Sequence, residues 1–204
     1  VKYLLPVVGY AFATMTLVCG VLILSSGLPD AFVTGHIVCG LGLITACVST
    51  AATSSTKFYL IPKNSTDPSF TINPEGFSKG ASSLLISIVI LLATVAWAWA
   101  IILFSTGPSD AHTVAGSVML GIACVCTALI ALVAAIARQV RGTYTMQEKS
   151  KWNALVLSMG GVAFIFGLIM IFTHWGEKID FVGFVLIGLA LICWSISSKV
   201  ILLA

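Results

Sequence analysis

The chain has 204 residues, of which 59% are hydrophobic and 8% charged, with a formal net charge of +3 and a mean hydropathy of +1.11. A soluble domain carries roughly 25% charged residues, so this chain lacks the charge to coat a surface facing water. The small positive balance gives no basis for nucleic-acid binding.

Six apolar runs follow in chain order: 4–26, 31–53, 80–106, 111–137, 152–174 and 180–203. Each approaches or exceeds the roughly 20 residues that cross a bilayer core. Backbone groups in lipid must be satisfied within the segment, so the runs are expected to be helices. Transmembrane strands would be about half as long and would alternate in polarity. The fold class is an all-α membrane protein, and residues 1–204 form a single transmembrane domain.

The first run is too long for a signal-peptide core and lacks a cleavage pattern. The chain starts at Val1 and stops at Ala204, beside an apolar run, which suggests part of a longer protein. The first and second runs meet at the turn Ser-Ser-Gly-Leu-Pro-Asp (25–30), and the third and fourth at Ser-Thr-Gly-Pro-Ser-Asp (105–110). FVTGHIVCGLGLITA at 32–46 parallels TVAGSVMLGIACVCT at 113–127, and a more divergent copy runs through 166–194. The expected unit is a helical hairpin, repeated about 4–53, 80–137 and 152–203 as three tandem parallel repeats. Its second helix carries Gly-x4-Gly: Gly35 and Gly40, Gly116 and Gly121, Gly183 and Gly188. Five residues advance about 500° around a helix, so the two glycines face different ways. One is expected to pack within its hairpin and the other against the next, letting helices approach closely. Gly160, Gly161 and Gly167 suggest a further tight contact.

Asp30, Asp110 and Asp180 precede the second helices and are expected to cap them; an acidic ring at the outer surface is the functional alternative. Nine of the ten basic residues fall at one set of loops and ends, and only Lys178 lies opposite. The positive-inside rule then places both ends of the segment, and the loops 54–79 and 138–151, in the cytoplasm. Basic loop 138–151 would attract anionic headgroups. The sequon Asn64-Ser65-Thr66 would be inert on that side.

Ionisable groups within a span are functional suspects. His36, roughly 9 Å into the second span, is the one such candidate, and proton sensing or a pore role attaches to it and to Asp30 and Asp110. Its matching positions hold Ser117 and Phe184, which argues against an essential ring. His112 and His174 are expected at the interface, and mid-span Trp97 and Trp99 in helix packing. The six cysteines lie inside apolar runs and read as packing residues; Cys124 and Cys126 point to different sides. Neither a catalytic Ser/His/Asp set, nor a zinc pair, nor a phosphate loop is present, so no enzyme, cofactor or metal is expected.

The stretch FVTGHIVCGLGLITACVSTAATSSTKFYLIPKN (32–64) resembles the YhiM-type bacterial inner-membrane proteins, a family defined as a domain of unknown function. TVAGSVMLGI and ICWSISSKVILLA extend the likeness over essentially the whole chain. At Ser117 the chain departs from the family pattern, where a Gly-His pair is expected. The resemblance implies an inner-membrane location and longer members with further hairpins, but no activity. The expected function is a non-catalytic, homo-oligomeric membrane or stress-related component, with lipid and an unidentified membrane partner as its contacts. A channel or transporter for small solutes, ions or protons is the alternative.

Overall fold

A computed structural model describes residues 4–56, 79–107, 109–140, 144–173 and 180–202. Six helices fill these segments: α1 (Leu4–Ser25), α2 (Ala31–Thr56), α3 (Lys79–Thr106), α4 (Asp110–Val140), α5 (Met146–Thr173) and α6 (Asp180–Leu202). All six are long and apolar enough to cross a membrane. The sequon, most of loop 54–79, His174, Trp175 and Lys178 lie outside the described residues.

Consecutive helices pair, α1 with α2, α3 with α4 and α5 with α6; α4 also packs on α2, α5 and α6. Side-chain size explains which helix is central. α4 contains eight alanines, two glycines and two cysteines, and 78% of its span is buried against 11% for α1. On α1 the bulky residues Phe12, Met15, Val18 and Leu22 point outward. Lipid is as apolar as leucine, so helix association draws on close packing rather than escape from water. Small residues permit that approach, and large ones can remain in contact with acyl chains.

Hydroxyl groups are handled locally. Thr45, Ser49, Thr50, Thr53 and Ser54 each donate to the carbonyl four residues earlier, at 2.7–3.0 Å. That removes the cost of an unpaired hydroxyl in hydrocarbon without a partner helix.

The helix starts differ from the capping expected of the aspartates. Asp110 is the first residue of α4 rather than its cap. Ser109 does the capping: its carbonyl accepts from Thr113 N–H at 3.0 Å and its hydroxyl from His112 N–H at 3.4 Å. Asp110 instead places a carboxylate in the first turn, where the helix dipole favours it. Asp30 enters α2 with φ 63°, a left-handed conformation that aspartate tolerates. Its exposed side chain stands away from the core, and its backbone carbonyl accepts from Thr34 N–H at 3.0 Å. Asp180 begins α6. Helix α5 starts six residues before the apolar run at 152 because Thr145 caps it, its hydroxyl accepting from Glu148 N–H at 3.3 Å.

Candidate functional site

The turn 26–30, Gly107 and Ser109 sit at one end of the bundle, and the polar cluster there centres on His36. The residue is 8% exposed. Its Nδ1 lies 2.6 Å from the Phe32 carbonyl oxygen one turn earlier. A carbonyl can only accept, so Nδ1 carries the proton in that bond and Nε2 is left as the ring's other nitrogen. The Phe32 ring packs tilted against His36, with centroids 4.4 Å apart, and against His112 of α4 at 4.6 Å. Trp99 of α3 meets His36 edge-on at 5.7 Å. Ser109 Oγ holds His112 Nδ1 at 2.6 Å.

Two histidines therefore flank one phenylalanine, an arrangement that joins α2, α3 and α4. The sequence marks out His36 as a titratable group within a span, but does not join it to His112 or single out Phe32. The signal lay in Phe32 and His36 being four apart, hence on one helical face. The two aspartates do not join this group: Asp30 and Asp110 are exposed. Trp97 turns to a different task, donating from Nε1 to Thr127 Oγ1 at 3.0 Å across α3 and α4.

The glycines form the second set of interest. A Cβ at Gly35 would meet Leu24 of α1 at 2.5 Å, and one at Gly40 would meet Ile122 and Met119 of α4. At Gly116 the neighbour is Phe104 of α3 at 3.1 Å; at Gly121 it is Leu189 and Leu186 of α6, at 2.5 and 2.9 Å. Gly183 faces the Gly167 carbonyl of α5 at 2.6 Å, while Gly188 has nothing within 4 Å. Gly160 lies beneath the Trp194 indole, and Gly161 is open.

The cysteines are free thiols, Cys19 exposed and the other five buried. Cys126 contacts Cys47 of α2, and Cys193 of α6 lies near Cys124. Among the described residues no three His, Cys, Asp or Glu side chains converge to hold a metal ion.

At the opposite end, Arg138 of α4 pairs with Glu148 of α5 beside a cavity of about 340 Å³, also lined by Lys151, Trp152 and Leu155. Tyr144 Oη donates to the Val200 carbonyl of α6 at 3.3 Å, and burial pushes its phenol above the usual range. Ser197 donates to Asn153, tying α6 to α5.

These features define a polytopic, all-helical membrane protein built around one enclosed helix. The chain belongs to the family described as "Protein of unknown function (DUF2776)", whose profile matches residues 1–204. It is 37% identical over 204 residues to "Inner membrane protein YhiM" of Escherichia coli (strain K12). That alignment covers 98% of this chain and 58% of the relative, so the chain spans less than two thirds of the protein it matches. No solved structure matches it.

Proposed function

We propose that this chain is a non-catalytic packing module of the bacterial inner membrane, working through assembly with copies of itself or with another membrane component. The observation that supports this most is the enclosure of α4. Met119, Ile122, Val125 and Val133 are at most 1% exposed, and they fill the space between helices with apolar atoms. A solute path would need polar groups turned toward a cavity. Five hydroxyls of α2, those of Thr45, Ser49, Thr50, Thr53 and Ser54, are instead bonded to their own backbone. The relative's inner-membrane designation, together with the basic loops, favours insertion with both ends of the segment cytoplasmic.

Purified protein in proteoliposomes tests the proposal. The expected result is ion, proton and small-solute permeability equal to that of protein-free vesicles, with the protein recovered as a discrete assembly. Selective, protein-dependent flux overturns it.

The alternative, a proton-responsive channel or transporter, draws on the histidine pair around Phe32. In that reading His36 is the proton-exchanging group of the span, and Phe32, in ring contact with both His36 and His112, links it to α4. A His36→Gln variant would then abolish a pH-dependent flux seen with the unaltered protein. Flux that is unchanged in the variant removes this reading.

A further inference from the structure

The cavity beside Arg138 is lined mainly by one stripe of α5. Glu148, Lys151, Trp152 and Leu155 stand at positions i, i+3, i+4 and i+7, which share a face of a helix. Seven residues rise about 10 Å along the axis. Over that rise the stripe passes from charged, through indole, to purely apolar. Arg138, in the last turn of α4, supplies the facing wall. The lining is drawn from two consecutive helices, well inside the segment.

Two of the three charges have local reasons. A basic residue in the last turn of α4 and an acidic one in the first turn of α5 each suit the helix dipole, and the two pair with each other. Lys151 has no such reason. It stands in the second turn of α5, toward the positive end of that helix, and makes no ion pair among the described residues. The lining therefore carries one positive charge in excess. The cavity, about 340 Å³, lies at the low end of the roughly 300–1,000 Å³ typical of small-ligand sites, a size that suits a headgroup.

We propose that this cavity seats the headgroup of an anionic phospholipid, its phosphate against Lys151 and Arg138, its ester region beside Trp152 and the start of an acyl chain along Leu155. A free phosphate would present the same charge, but the order of polarity along the stripe is that of a lipid. Tryptophan belongs at headgroup level, and basic pockets between membrane helices are suited to phospholipid headgroups. A further apolar span seated there would cover Lys151 without a counter-charge, which is costly. The excess of one positive charge favours a headgroup of net charge −1, as in phosphatidylglycerol, over one whose ammonium cancels the phosphate, as in phosphatidylcholine. Diffuse attraction to basic loops needs no cavity and no stripe; a seated headgroup uses both. Such a site goes beyond the packing-module reading and is independent of whether copies assemble.

The test uses the full-length protein in a neutral detergent, with bound lipid counted by native mass spectrometry. Saturable binding of phosphatidylglycerol is expected, about tenfold tighter than that of phosphatidylcholine with the same acyl chains. Lys151→Gln should weaken it about tenfold. Lys149→Gln, whose side chain lies outside the lining, should weaken it much less. Glycerol 3-phosphate at the same concentration should not displace the lipid. A second measurement needs no variant: phosphatidylglycerol with a photoreactive group near its ester should label the unaltered protein within 148–155. The proposal is overturned if the two lipids bind equally, or if the label falls elsewhere. Equal weakening by the two lysine variants would also overturn it, in favour of diffuse attraction. Displacement by glycerol 3-phosphate would do so in favour of a soluble anion. Flux in proteoliposomes bears on the packing-module reading alone and leaves this site standing.

Discussion

Single residues in this protein show how polar groups are tolerated in lipid. Ser117 is fully buried and its hydroxyl lacks a partner, unlike the back-bonded serines and threonines of α2. An unsatisfied buried hydroxyl costs about 1–3 kcal/mol. Ser117→Ala is therefore expected to raise stability by about 1 kcal/mol, read as a higher unfolding midpoint in detergent micelles. Tyr144 is the converse case, with its hydroxyl on the Val200 carbonyl. Tyr144→Phe should lower stability by about 1 kcal/mol. Its phenol is held above the usual range by burial, so the folded state favours the neutral form. That contribution is intact below the unfolded pKa of about 10 and is lost as pH rises through the raised folded value. The gap between the tyrosine and phenylalanine forms should accordingly close in alkaline melts. His36 was visible in the sequence because a titratable side chain in a span is rare. Its neighbours were not, since Phe32 looks like any other lipid-facing residue until α3 and α4 are in place.

Among the elements, hairpin closure depends on backbone approach. A Cβ on Gly20 would come within 2.8 Å of the Cys39 nitrogen and 3.0 Å of the Gly35 oxygen, both on α2. A Cβ on Gly183 would come within 2.6 Å of the Gly167 oxygen on α5. Backbone cannot rotate aside as a side chain can, so the helices must separate. Gly20→Ala and Gly183→Ala should each cost about 1–3 kcal/mol. Gly188→Ala should be neutral or stabilising by up to about 1 kcal/mol, because alanine is the better helix former and the space is empty. Denaturation of the three variants in one detergent would rank them; equal losses at Gly183 and Gly188 would contradict the contacts described. The glycine spacing alone announced two faces per second helix. Which face met which helix required coordinates, and the caps show the same division. Asp110 looked like a cap because it is acidic and precedes an apolar run, yet Ser109 occupies the position from which a hydroxyl reaches His112 N–H.

For the molecule as a whole, the arrangement turns on α4. It gathers α2, α3, α5 and α6 around a strip of small side chains, and α1 is the least enclosed of the six. The proposed orientation in the membrane rests on charge rather than packing. Leu28→Cys, in the exposed turn before α2, should react with an impermeant maleimide added to intact cells. Ser150→Cys, in the first turns of α5 and also exposed, should react only after permeabilisation. The opposite pattern would invert the insertion derived from the basic residues.

Hydropathy along the chain was enough to establish lipid as the solvent, helix as the secondary structure and six as the number of candidate spans. A bilayer offers no partner for an open backbone group, so a long apolar run has essentially one local solution. The interior was not legible in that way. α1 and α4 are both strongly apolar, and only one is enclosed. Helix choice in lipid depends on shape matching between residues as far apart as Gly40 and Ile122, and on which side chains can interlock without water driving them together. Those are properties of pairs, decided when the helices meet.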